Sequence, residues 1–477
     1  MAQTAASNDI ELVQTRASVG ASGEAYDGAT HGESHQEVDG HSLPPYDGGT
    51  AAWRMLLSAF VFEALLWGCI ASELTRAFQD YYSHLPEFKD DPFISVIGTT
   101  ASGISYMAAP IVIPLTKRYS EYRRHMIWVG CTSSLSLDCH RLCRLITHAG
   151  PLCLLGLVAG SFARTLGGLI LTQGVLYGVG FTIFYYPILS MVNEFWIARR
   201  GMAYGFICSA SGVSGAAMPL CIHFLLQKYG YQTTLRIMAA GLFVLTGPLI
   251  PLLKGRVPET ASSSSPRTDW TFLKTPLFWT YSVSNLAMGL GYFFPSLYLP
   301  TYATSNGLSS THGVLLLAAM SISQVVGQLS FGYLSDRKLP LNVLTVSSTL
   351  VASIAVYTCW GLAHTFGVLL AFALIYGFFG AGYTATWARM GTTISSEPTA
   401  AFAVFGLLNL GKGVGDVLAG PIGGALLMKR VEVGSYGTMD FAAVVLFAGS
   451  CMFTSAATIS LCYVDFSKFR DALRWLH

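Results

Sequence analysis

Lys412 and Asp416 stand four residues apart within an apolar run, 400–428. A charged side chain at the centre of a bilayer costs about 2.5–3.5 kcal/mol or more, so each one found there is a functional candidate by default. The i,i+4 spacing places both on one helix face, where they can pair. Asn409 lies one turn earlier. Such a lysine can attract an anionic solute, or be released when its partner takes up a proton. The same two residues also suit a permanent ion pair that settles helix packing. Glu63 lies about ten residues into another apolar run, 53–77. At that depth it can carry a coupled proton or hydrogen-bond a neighbouring helix. Tyr185, Tyr186 and Tyr376 offer a stacking face and a hydroxyl from two further runs, and packing is an equal use of such rings. A different chemistry closes the run 314–334, which ends Gly332-Tyr-Leu-Ser-Asp336-Arg337. Its carboxylate belongs at the membrane surface, where it can cap or pair with the end of a neighbouring helix.

Bond-breaking chemistry is not indicated, and no cofactor or metal is expected. No phosphate-binding loop of the Gly-x-x-x-x-Gly-Lys-Ser/Thr type occurs, so ATP is not expected to drive this protein. Cys139, Cys143, His140 and His148 cluster in sequence, but their spacing matches no standard zinc site. His223 is the one histidine well inside an apolar run, too few for an intramembrane hydrolytic constellation. An enzyme is therefore not expected.

These residues sit in a chain that can hardly be soluble. Of 477 residues 52% are hydrophobic and 11% charged, against about 25% charged in soluble domains. The formal net charge of +2 gives no sign of a nucleic-acid partner. Residues 1–50 are polar, without apolar period, and read as a disordered cytosolic tail. Runs long enough to cross a bilayer follow at 53–77, 93–115, 166–189, 202–226 and 237–253, then at 277–302, 314–334, 341–363, 366–387, 400–428 and 441–464. Between the two sets, 254–275 is polar and reads as a cytosolic linker. Residues 467–477 form a short tail.

The third span is interrupted. Met126-Ile-Trp-Val-Gly-Cys131 starts an apolar helix and stops; Gly150-Pro-Leu-Cys-Leu-Leu-Gly resumes one. Joined, they make one span, and 132–149 reads as an in-frame insertion of the kind a retained intron would leave. The other reading is a loop that splits the helix. The expectation is thus an all-α membrane protein of twelve spans, with bundles at 51–253 and 276–466. With the N-terminus inside, sixteen Lys and Arg fall on inner segments and seven on outer ends. Both termini are then expected in the cytoplasm. Glu73 and Arg76, one turn apart near the outer end of the first run, read as an interfacial pair.

The Gly-x-x-x-Asp-Arg loop at Gly332, Asp336 and Arg337 resembles the signature of the major facilitator superfamily. The stretch Asn193-Glu-Phe-Trp-Ile-Ala-Arg-Arg-Gly-Met-Ala-Tyr-Gly resembles the fifth-helix signature of its monocarboxylate-transporter-like members. Asp47-Gly-Gly49 resembles their other signature, from which Thr50-Ala-Ala-Trp53 departs. Leu171-Thr-Gln-Gly-Val-Leu-Tyr-Gly and Gly411-Lys-Gly-Val-Gly-Asp are similar to the fungal branch. The resemblance covers 47–466 apart from the insertion.

It implies two six-helix bundles around a central cavity, lined in part by the helices of Tyr185, Tyr186 and Tyr376, with alternating access. It makes Asp336 a conformational latch; the first-half counterpart, Pro114-Leu-Thr-Lys-Arg-Tyr119, lacks the acid. Proton-coupled lactate carriers of this family keep an acid and an arginine where this chain has Gln324 and Gln328, and a lysine near Ala71. A larger or less charged solute than lactate fits better. The resemblance thus implies a monomeric secondary transporter in the cell membrane, moving an organic acid or secondary metabolite, with protons as a candidate co-substrate. An uptake carrier for a neutral vitamin-like solute and a non-transporting nutrient sensor are the alternatives.

Overall fold

The structure is a computed structural model. It describes residues 44–68, 78, 81–82, 94, 96–118, 126, 152–256, 268–337, 339–428, 436–438 and 441–463. The insertion at 132–149, the Glu73–Arg76 pair, the tail 1–43 and the C-terminal residues 464–477 lie outside the described residues.

Long apolar sequence and hydrocarbon surroundings leave the backbone one solution, helices that satisfy their own N–H and C=O groups. The first half contributes α1 (Gly49–Trp67), α2 (Val96–Met107) and α3 (Ala109–Arg118), α4 (Leu152–Gly160), α5 (Leu166–Phe195) and α6 (Arg200–Thr246). The second contributes α7 (Pro276–Ser305), α8 (Ser310–Ser335), α9 (Leu341–Ala355), α10 (Phe366–Ala385), α11 (Trp387–Ile394), α12 (Pro398–Met428) and α13 (Ala442–Tyr463). No strand occurs among the described residues. Eight of these helical stretches are long and apolar enough to cross a membrane, and a ninth is added if α2 and α3, bent by 43°, are one span. Of the three other expected spans, the third includes residues outside the described ones, and two correspond to α7 and the start of α6. These last two are helices of adequate length, but they carry more hydroxyl and amide groups.

α6 holds two expected spans. They part at Gly230, whose φ of 71° lies in the left-handed region open to glycine. In α10 the run Gly377, Gly380, Gly382 is not where the helix breaks. The break comes after it, at Thr386, whose hydroxyl bonds back to the Tyr383 carbonyl at 2.7 Å. A Cβ at Gly377 would lie 2.4 Å from the Met320 carbonyl oxygen, so this glycine serves close packing on α8.

Within the first half α6 packs on α1 and α4, and α5 on α1, α2 and α4. Within the second, α7 packs on α12 and α13, α8 on α10, and α9 on α10 and α13. The halves meet along two seams, α6 against α8 and α2–α3 against α12. Lys117, Arg118, Arg199, Arg200, Arg337 and Arg389 all mark the same end of the molecule, called the basic end below.

Candidate functional site

Lys412 and Asp416 lie midway along α12, each side chain 1% exposed, and the ammonium donates to Asp416 Oδ1. Two glycines set that depth. A Cβ on Gly415 would lie 2.3 Å from the Gly289 carbonyl carbon, and one on Gly289 would lie 3.1 Å from Lys412 Cα, so α7 and α12 touch backbone to backbone. Asn285 on α7 donates to the Leu408 carbonyl at 2.6 Å, one turn before the lysine, and fixes the register. The Lys412 ammonium stands 4.1 Å from the ring centroid of Phe293, 4.5 Å from Tyr292 and 5.5 Å from Tyr106. Ring faces of this kind attract a cation by about 0.5–2 kcal/mol each. Asp416 Oδ2 is buried with no hydrogen-bond partner.

Tyr106 belongs to α2, in the other half, and joins this pair to Glu63. It lies within electrostatic reach of both Glu63 and Asp416. Its ring also meets Trp67 of α1 at 5.1 Å and Trp387 of α11 at 6.2 Å. Glu63 is 6% exposed, and its Oε2 has no hydrogen-bond partner. Tyr106, Tyr185 and Tyr292 are only partly buried.

The other residues expected at the site divide clearly. Tyr185 faces Glu63 and stacks on Phe181, with centroids 5.0 Å apart. Tyr186 is fully buried and its hydroxyl donates to the Ser105 carbonyl, a packing role. The Tyr376 hydroxyl donates to the Tyr292 carbonyl at 2.9 Å, supporting a ring that touches Lys412. Asn409 turns back on its own helix and donates to the Phe405 carbonyl at 2.7 Å, away from the pair one turn on. Gln324 donates to Ser211 Oγ across the α6–α8 seam at 3.0 Å, whereas Gln328 reaches only Thr384 at 3.4 Å within its own half.

At the basic end Asp336 caps α8, yet its carboxylate serves the other half. Oδ1 accepts from the Gly201 N–H at 2.8 Å and Oδ2 from the Met202 N–H at 2.7 Å, at the N-terminus of α6. That is where unpaired N–H groups and the helix dipole favour an anion. Arg389 stands 3.9 Å away. Gly332 allows the approach, since a Cβ on Gly205 of α6 would lie 2.8 Å from its Cα. Arg337 does not join the clasp; it packs on the Tyr333 ring, 4.6 Å from its centroid. A second carboxylate serves the same bend. Asp47, at φ 54°, accepts from the N–H groups of Ile197, Ala198 and Arg199 at 2.9, 3.1 and 2.9 Å. In the first-half counterpart, Lys117 lies over the Phe402 ring of α12 at 5.5 Å, so the seam lacking the acid closes through a cation and a ring.

Burial outweighs the two N–H donors and Arg389 and holds the Asp336 carboxyl above the usual aspartate range. A proton is then bound more tightly with the clasp made than with Asp336 in water. By linkage the clasp gains as pH falls toward the ordinary aspartate value and loses as pH rises through the raised one. Distances between spin labels on the basic ends of α6 and α8 are expected to shorten on acidification. Asp336→Ala should abolish that dependence and widen the separation, with loss of about 1.5–3 kcal/mol per hydrogen bond to the charged group. An unchanged distance distribution in Asp336→Ala would remove the clasp assignment.

The sequence profile of the Major Facilitator Superfamily matches residues 144–358, which include both α6 and α8. The MFS transporter asaE of Aspergillus flavus is 26% identical over 421 residues, covering 87% of this chain and 88% of the relative. Monocarboxylate transporter 12-B of Danio rerio is 27% identical over 379 residues, covering 70% and 78%. The crystal structure of nucleoside transporter NupG aligns at a TM-score of 0.58 and 14% identity, over 87% of this chain and 100% of that one. The chain is thus similar to transporters of the major facilitator superfamily over most of its length. It is a multi-pass membrane transporter with the major facilitator fold, and its partners are the bilayer and a small-molecule substrate.

In this transporter the residues that sequence reasoning missed are Trp67, Tyr106, Tyr292, Phe293 and Trp387. Each is one aromatic among many in an apolar run. The nearest thing to a signal is the aromatic triplet Tyr292-Phe-Phe294 ahead of Pro295, at mid-length of α7.

Proposed function

We propose that the protein is a proton-coupled secondary transporter of an organic solute, working as a monomer in the cell membrane with both termini in the cytoplasm. The basic end is then the cytoplasmic end, as the excess of Lys and Arg there favours. On this reading the contacts of Asp336 with the Gly201 and Met202 N–H groups close the cytoplasmic end. The observation that carries the reading is the convergence on Tyr106 of a buried acid from one half and a buried ion pair from the other. Alternating access needs groups from both halves at one place, because moving the halves must change what surrounds them. Glu63 is the proton carrier, and Lys412–Asp416 is the partner whose surroundings change as α2 and α12 slide. No catalytic step is assigned.

The test is flux in proteoliposomes with a pH-sensitive dye inside. Solute movement should shift the lumenal pH in the wild type. In Glu63→Gln, whatever solute flux remains should move no protons. Proton movement that persists with solute in Glu63→Gln would sink the assignment.

A further inference from the structure

The charge inventory of the site bears on which solute it takes. Lys412 is the single buried cation at this depth among the described residues, and it is already spent. Asp416 takes its proton-donating face, and Tyr106, Tyr292 and Phe293 surround the rest of the ammonium. A carboxylate solute would have to break that pair to find a positive partner. Glu63 is in the opposite position. The groups facing it are Tyr106 from α2, Tyr185 and Tyr186 from α5, and Cys208 from α6, none of them a cation. It makes no ion pair, and Oε2 is buried without a partner. Tyr106 and Tyr185 stand near it, and the Tyr106 ring in turn meets Trp67, one turn on from Glu63 in α1, and Trp387 of α11.

An uncompensated carboxylate bordered by aromatic faces suits a protonated nitrogen on an apolar or aromatic body. The carboxylate supplies the charge, and the rings supply stacking and cation–π attraction. We propose that the solute is an organic base, an amine or guanidine carried in its protonated form, which binds at Glu63. This rests on the transporter reading above. The balance is simple: the cation arrives, the proton on Glu63 leaves to water on the open side, and the net charge of the site is unchanged. The same carboxyl takes a proton back when the site faces the other side, which makes the exchange an antiport. Of the solutes the sequence suggested, an organic acid or a secondary metabolite, this proposal sets aside the acid and keeps a basic metabolite.

The probes are phenethylamine, phenethyl alcohol and phenylacetate, matched in size and differing in charge. Binding to the full-length protein in nanodiscs is read by tryptophan fluorescence and by calorimetry. Phenethylamine should bind about tenfold more tightly than the alcohol, and phenylacetate more weakly than either. Glu63→Gln should erase the advantage of the amine, and Glu63→Asp should restore part of it, which separates a lost charge from a damaged fold. Tighter binding of phenylacetate, an amine preference that survives Glu63→Gln, or no amine binding at millimolar concentration would each overturn the proposal. Amine binding through Glu63 without any pH-driven flux would fail the transporter reading and the antiport with it, and leave the preference of the site for a base standing. Proton-coupled flux that prefers phenylacetate would do the reverse.

Discussion

Lys412→Met is expected to cost about 3–5 kcal/mol of folding stability, the usual penalty for stranding one partner of a buried ion pair. Asp416 would be left 1% exposed, with neither oxygen compensated. No rescue is at hand, because what surrounds the lysine is ring faces, Tyr106, Tyr292 and Phe293. The double change Lys412→Met with Asp416→Leu should recover most of the loss, since apolar residues of similar size commonly replace a buried pair at no net cost. Transport should fail in both. Thermal melting of the detergent-solubilised protein, read beside vesicle flux, separates the two effects. A double variant that transports normally would make the pair a packing device. A single variant that melts like the wild type would mean the pair carries no stability at all.

How much of this was legible beforehand follows from what each signal depends on. The helices were, because run length and apolarity are local properties, and so was the i,i+4 pairing of Lys412 with Asp416, which needs only helix geometry. The clasp was half legible. The carboxylate of Asp336 could be placed at a helix end from Gly332-Tyr-Leu-Ser-Asp336, but its receptor, the N–H groups of Gly201 and Met202, is backbone and leaves no mark in residue type. Asp47 shows the same limit: the motif was visible, yet its three backbone donors lie some 150 positions on. The surroundings of Glu63 and Lys412 were not legible at all. Trp67 and Tyr106 come from two helices of the first half and Trp387 from the second, and only the docking of the halves brings Trp387 to the Tyr106 ring. Asn409 failed for the opposite reason. Its spacing from Lys412 was right, but a buried amide with a free carbonyl one turn back is satisfied locally.

Gly205→Val is expected to slow transport about 5- to 150-fold while leaving the melting temperature close to that of the wild type. In the clasped state a Cβ at this position would lie 2.5 Å from the Gln328 carbonyl oxygen and 2.8 Å from Gly332 Cα, both backbone of α8. Backbone cannot step aside as a flexible side chain can, so closing the basic end carries an overpacking cost of about 1–3 kcal/mol. A cost of that size shifts a two-state equilibrium about 5- to 150-fold toward the state open at that end. The fold itself does not suffer, because in the open state α6 and α8 part there and the added methyls meet no one. Spin labels on the basic ends of the two helices should then report the longer separation. Gly241→Val supplies the contrast: nothing lies within 4 Å of a Cβ there, so it should transport as the wild type does. Two glycine substitutions of equal size thus give opposite results. If both transport as fast as the wild type, the α6–α8 seam does not need to close in each cycle. If both melt early, the loss at Gly205 reflects helix propensity and not the seam.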